Sequence, residues 1–166
     1  MSCVHSFPSI ESAGARVLIL GTMPGKESLR QQQYYAHPRN AFWQIVGEVL
    51  GFDAGSSYEA RASSLSAAGV ALWDVLKSCT RKSSLDSDID NDTIVPNDFA
   101  TFFASHPHIR RICFNGAKAE QLYHRHVLRL IGDQPEMEYV RLPSTSPANA
   151  GIPFAEKLRA WRVIAA

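Results

Sequence analysis

Within nine residues, Tyr35 to Trp43, the chain reads Tyr-Ala-His-Pro-Arg-Asn-Ala-Phe-Trp. This supplies a phenol ring, an imidazole, a guanidinium and a primary amide in one short stretch. Nine residues earlier ends Gly21-Thr22-Met23-Pro24-Gly25, a tight turn that closes the apolar run Arg16–Leu20. Such groups can stack on a flat polar ring and hydrogen-bond its edge without ionising it, because an amide both donates and accepts. The turn's backbone N–H groups could also cradle a phosphate. It has neither the GxGxxG nor the GxxxxGK[ST] spacing, so a nucleotide cofactor is not indicated. Each residue has an ordinary alternative. Gly-x-x-Pro-Gly can be a plain strand-to-helix turn, His37 can order the loop before Pro38, and Asn40 can cap a helix. Phe42 and Trp43 suit the core face of that helix.

The elements that would position these groups follow from hydrophobic spacing. Arg16–Leu20 reads as a strand buried on both faces. A helix runs from Phe42 through Ile45, Val46, Val49 and Leu50 to a stop at Gly51. Another spans Ser57 to Ala68, and Val70–Trp73 is a second buried strand ending at Asp74. The polar stretch Lys77–Asn91 reads as a loop. Asn97 can cap a helix through Phe99, Phe102 and Phe103 that Pro107 ends. Arg111–Phe114 is a third strand, turning at Asn115-Gly116 into a helix from Ala117 to about Ile131. Glu138–Leu142 is a fourth strand, and Phe154–Ile164 a closing helix. Strands alternating with helices predict an α/β fold, a three-layer α/β/α sandwich around a central four-stranded parallel sheet. Ligands of such sheets sit beyond the carboxyl ends of the strands. Those ends are Gly21–Gly25, Asp74 onward, Asn115-Gly116 and Pro143–Asn149, which hold nearly all the unusual residues of the chain.

Composition narrows the class. With 166 residues, 45% of them hydrophobic, a single domain covering 1–166 is expected. A net charge of +1 excludes a broadly basic coat but allows a local patch, with Lys77, Arg81 and Lys82 set either against phosphates or in solvent. The three cysteines, Cys3, Cys79 and Cys113, lie far apart without ligand spacing, so no disulfide framework, metal or cofactor is expected. His106, His108, His124 and His126 read as surface residues. No membrane span or signal segment is expected, and a cytoplasmic monomer is the reading.

The two opening segments resemble the mismatch-specific branch of the uracil-DNA glycosylase superfamily, which reads Gly-Ile-Asn-Pro-Gly and then an aromatic before Ala-His-Pro. The span from Met23 to Tyr35 matches that spacing. Met23 departs from it, because that branch carries its catalytic asparagine there. Gly-Thr-Met-Pro-Gly with Tyr-Ala-His-Pro-Arg-Asn-x-Phe-Trp instead resembles the hypoxanthine-DNA glycosylases, the sixth family of the superfamily. Further matching segments are Ala71-Leu-Trp-Asp-Val-Leu-Lys-Ser-Cys79, Ser84-Leu-Asp-Ser-Asp-Ile89, Phe114-Asn-Gly116 and Leu142-Pro-Ser144. Together they span about 16 to 160.

The resemblance implies a monofunctional enzyme of base excision repair that hydrolyses the N-glycosidic bond of deaminated bases, hypoxanthine first, in DNA. It implies Asn40 and His37 as the catalytic pair. Gly21, Thr22, Met23, Tyr35 and Asn115 would bind the base, with Tyr35 stacking on it and Asn115 reading its edge. The loop Pro143–Asn149 resembles the superfamily's minor-groove loop, so Ser144, Thr145, Ser146 and Asn149, with Arg39, would contact DNA. Leu142 stands where better-known branches carry a histidine. Excision of uracil from mismatches, a DNA-binding homologue without catalysis, and hydrolysis of small nucleotides remain the alternatives. Asp74 could touch the pocket or simply bond neighbouring loop amides.

Overall fold

The backbone of Val17–Gly21 is covered on both faces, with all five residues buried. In the computed structural model, which describes residues 2–165, it is the second strand of the chain. The order is β1 (Ser2–His5), β2 (Val17–Gly21), α1 (Lys26–Gln31), α2 (Phe42–Leu50), α3 (Tyr58–Ala67) and β3 (Val70–Asp74). There follow β4 (Leu76–Arg81), β5 (Ile89–Pro96), α4 (Phe99–Ser105), β6 (Arg111–Asn115), α5 (Ala117–Leu122), α6 (Leu128–Ile131), β7 (Glu138–Leu142) and α7 (Phe154–Trp161).

The central sheet has the order β3-β2-β6-β7, with every pair parallel. Successive residues of β2 feed opposite cores, as strand geometry requires. Leu18 and Leu20 join Phe99, Leu122 and Tyr123 on one face. Val17 and Ile19 join Phe42, Trp43, Ile45 and Trp161 on the other. Helices therefore cover both sides, and the α/β expectation with a four-stranded parallel sheet is met. Register matters more than layering for the site. Gly21 pairs with Asp74, and Asn115 with Leu142, so the carboxyl ends lie side by side on one edge.

The stretch read as a loop from Lys77 to Asn91 is mostly strand. β4 and β5 pair antiparallel, and β1 pairs with β4, forming a second, three-stranded sheet. One face of that sheet is solvated, which explains its polar composition. Register shifts between Leu76 and Ser78 and between Ser78 and Thr80 spoil the strict alternation that would have marked a strand.

Smaller corrections have local causes. Asp98, not Asn97, caps α4 by accepting from the Thr101 N–H at 3.1 Å. Asn97 instead donates to the carbonyls of Asp74 (2.8 Å) and Leu76 (3.2 Å), fastening the β3–β4 corner. His106 is buried: its Nδ1 bonds the Phe102 carbonyl and its Nε2 sits 3.0 Å from Glu11. The helix after β6 is interrupted by a π-helical turn, Tyr123–Val127. No helix among the described residues is long and apolar enough to cross a membrane.

Candidate active site

A cleft of about 940 Å³ opens at the carboxyl edge of the central sheet. It is lined by the Gly21–Gly25 turn, the Tyr35–Asn40 loop, Asp74, Asn115 and the Ser144–Asn149 loop, with Ser84–Ser87 on one rim. The strand ends that converge in the sequence therefore do surround one cavity.

The turn after β2 is held from beneath. Val75 donates its N–H to the Gly21 carbonyl at 2.8 Å, and the buried Arg81 guanidinium donates to the Pro24 carbonyl. Arg81 thus supports the turn and does not face DNA, while Lys77 and Lys82 are exposed. Met23 packs into the core beneath Leu20. It contributes apolar surface to the cleft and no group that could orient water. Gly21 is required by its neighbours. A Cβ there would stand 2.6 Å from the Tyr35 hydroxyl and 2.7 Å from Asp74 Oδ1.

Tyr35 adopts φ 54°, in the left-handed region that bulky residues rarely occupy. Its neighbours enforce this. Tyr34 is pinned by Tyr58 and Trp43 through its backbone, and Ala36 donates to Ser28 Oγ at 3.0 Å. One face of the Tyr35 ring stacks on Phe42, with centroids 4.1 Å apart and planes at 21°. Backbone strain of this kind is concentrated at ligand clamps.

The two catalytic candidates are oriented by their own backbone. Asn40 Oδ1 accepts from the Phe42 N–H at 3.0 Å, a local turn bond just ahead of α2, whose N-cap position is Ala41. Asn40 is thus not the helix cap that the sequence offered; its oxygen is committed to the Phe42 N–H, and the amide NH₂ makes no hydrogen bond among the described residues. His37 Nδ1 accepts from the Arg39 N–H at 3.0 Å. That bond places the neutral ring's proton on Nε2, which makes Nε2 a donor. Arg39 itself is exposed and lies outside the cleft lining.

Asn115 is differently employed. Its Oδ1 accepts from the Thr145 N–H and its Nδ2 donates to the Thr145 hydroxyl, each at 3.0 Å. One lone pair remains for a ligand, and the second N–H faces the Tyr35 hydroxyl. Thr145 is 1% exposed and accepts from Ala41 N–H through its carbonyl. It was expected at the DNA face and is instead an internal tie between β6, the last loop and the start of α2. Ser144 and Ser146 accept loop N–H groups, and Asn149 donates to the Ser144 carbonyl at 3.0 Å. These bonds shape the loop from within.

Sequence reasoning gave Asp74 little weight, yet it is 3% exposed and lines the cleft floor. Burial, reinforced by the Asp86 carboxylate and only partly offset by Arg81, pushes it up to about 7. Asp86 is raised as well, chiefly by burial. Among the described residues no three His, Cys, Asp or Glu side chains gather as a metal site would require.

Comparison with known proteins gives a consistent result. A family model described as the uracil DNA glycosylase superfamily matches residues 7–165. A protein of Methanosarcina acetivorans named hypoxanthine DNA glycosylase is 39% identical over 146 residues, covering 87% of each chain. Its namesake from Methanosarcina barkeri is 34% identical over the same share. A solution structure from Methanosarcina acetivorans, provisionally named a uracil DNA glycosylase, superposes with a TM-score of 0.81 at 36% identity. It covers 99% of this chain and 98% of its own.

Proposed function

The chain belongs to the uracil DNA glycosylase superfamily, and we propose that it is a monofunctional DNA glycosylase of base excision repair with hypoxanthine as its preferred base. It acts on deaminated bases in DNA, hydrolysing the bond between the base and its deoxyribose. The observation that carries this reading is the cleft itself. An aromatic face, a free amide NH₂ and an imidazole Nε2 donor meet beyond the carboxyl ends of a parallel sheet, with no strong base among them.

That set suits a dissociative hydrolysis. The C1′–N bond breaks with its electron pair going to the base, and water then adds to C1′ and gives up a proton. The demand on the protein is to hold the extruded base and stabilise negative charge growing on it. Tyr35 supplies the stacking face. Asn40 Nδ2 and His37 Nε2 donate to the water or to the departing base. Asn115, pinned by Thr145, offers its remaining lone pair to the base edge. Ser144, Ser146, Asn149 and the exposed Arg39 are assigned to the DNA backbone. Free Cys3, Cys79 and Cys113 suit a reducing compartment, in keeping with a cytoplasmic monomer that uses no cofactor.

The test is release of base from duplexes carrying deoxyinosine, deoxyuridine or deoxyxanthosine, read as alkali-sensitive breaks. Inosine should be processed fastest. Asn40→Asp keeps the oxygen that accepts from the Phe42 N–H and removes the NH₂ donor. It should lower single-turnover release by ~10²-fold or more while unfolding at the wild-type temperature within a degree or two. Near-normal release in that variant would remove Asn40 from the mechanism.

A further inference from the structure

The floor of the cleft carries a buried polar atom, Asp74 Oδ2, that nothing in the protein satisfies. Tyr35 Oη, Thr22 Oγ1 and Asp74 Oδ2 are all buried and lack a well-formed hydrogen bond. The first two do have neighbours to pair with, Asn115 and Asp86, which leaves Asp74 Oδ2 as the atom without a partner. Buried polar groups are ordinarily paired, so an unpaired carboxyl oxygen at the floor of a cavity points to a ligand that completes it. Asp74 Oδ1 and the Tyr35 hydroxyl both crowd the position that a Gly21 side chain would take. The Asp74 backbone carbonyl is tied to Asn97, so the residue is fixed at the floor beneath the stacking ring.

Resting on the glycosylase reading, we propose that the Asp74 carboxyl group is a specificity-determining residue that donates a hydrogen bond to the carbonyl oxygen of the extruded base. Deamination replaces an exocyclic amino group by a carbonyl in every case: adenine becomes hypoxanthine, cytosine becomes uracil, and guanine becomes xanthine. A carboxylic acid O–H at that place accepts the altered base and opposes an amino group's hydrogen. An ionised carboxylate would do the reverse, accepting from an amino group and repelling a carbonyl. Asp74 therefore tells hypoxanthine from adenine, and uracil from cytosine, only while it holds its proton.

The surroundings favour that state. Asp74 lies in the field of Asp86 on the rim and of the phenols Tyr34 and Tyr35 from the loop after α1; Arg81 on β4 is the opposing cation. Arg81 is committed to Pro24 and forms no ion pair with Asp74. Burial acts in the same direction as the neighbouring acid, as in other sites where a carboxyl group is kept neutral to serve as a donor.

The experiment compares affinity for matched inosine and adenine duplexes, with base release measured alongside, from about pH 6 to about pH 8.5. In the wild type the inosine-over-adenine ratio should fall as Asp74 ionises, approaching tenfold per pH unit above its midpoint. Asp74→Asn keeps a donor at every pH and should show a flat ratio, with wild-type unfolding confirming its fold. Asp74→Leu, without any donor, should lose discrimination throughout. A flat wild-type ratio, or an Asp74→Asn ratio that falls like the wild type's, overturns the proposal. A wild type that discriminates with the predicted pH dependence but releases no base supports this inference and defeats the glycosylase reading instead.

Discussion

Gly21 shows how much of the site rests on an atom that is absent. The Tyr35 hydroxyl and Asp74 Oδ1 both occupy the space that a side chain at position 21 would take, and each lies well inside contact distance of a Cβ built there. Tyr35 cannot retreat, since its ring is stacked on Phe42 and its backbone is held in the left-handed region. Asp74 cannot retreat either, because Asn97 fixes its backbone. Gly21→Ala should therefore displace the floor of the base pocket. The expected cost is about 1–3 kcal/mol in stability, read by denaturant unfolding, with a larger proportional loss in base release than in duplex affinity. An alanine variant with full activity would mean that the floor is more yielding than its contacts imply. Met23 makes the complementary point at the same scale. Its place in the core leaves the turn without a group that could orient water, in keeping with the role proposed for the NH₂ of Asn40 across the cleft.

Elements bring these residues together, and their legibility in the sequence was uneven for physical reasons. The strands of the central sheet are short apolar runs ended by Gly, Asp, Asn and Pro, so their ends were readable, and so was their convergence on one edge. Helix α2 was readable from its spacing and from Gly51, which ends it at φ 82°. The second sheet was hidden because its strands are solvated on one face and carry register shifts. Arg81 was consequently placed either against phosphates or in solvent, when it is buried and supports the first turn. The role of Thr145 could not be read either, since no local pattern reveals a partner 30 residues away. That residue joins β6, the last loop and the start of α2 through three hydrogen bonds. Thr145→Val keeps its shape and both backbone bonds but removes the acceptor for Asn115 Nδ2. It should cost about 1 kcal/mol in stability and raise the KM for duplex more than it lowers kcat, because it frees the loop and spares Asn40. An unchanged KM would detach the loop from DNA recognition.

At the scale of the whole molecule, a neutral carboxyl group at the pocket floor links activity to stability through pH. Asp74 is held at about 7 against an ordinary value of 3.8, so the folded chain keeps a proton that the unfolded chain has lost. Stability from this residue is therefore full below the unfolded value, declines as pH rises from there, and levels off above about 7. Over that window the difference amounts to roughly 4 kcal/mol at most. Asp86 is shifted in the same direction and adds to the decline, whereas His126, lowered chiefly by burial, opposes it on the acid side. The contribution of Asp74 can be isolated by comparing wild type with Asp74→Asn in thermal unfolding at about pH 5 and about pH 8. At the lower pH the folded Asp74 is still neutral while the unfolded side chain has already lost most of its proton, so the gap between the two proteins is small there and widens as pH rises. At the higher pH the variant should be more stable, by up to roughly 10 °C for a chain of this length. Equal unfolding temperatures at both pH values would show that the carboxyl group is ionised in the folded chain throughout, and would remove the donor from the pocket. The same buried charge would then limit both the persistence of the fold and its discrimination of bases as the solution becomes alkaline. Stability and selectivity share one proton, so a substitution that relieves the first at high pH also preserves the second only if it keeps a donor at position 74.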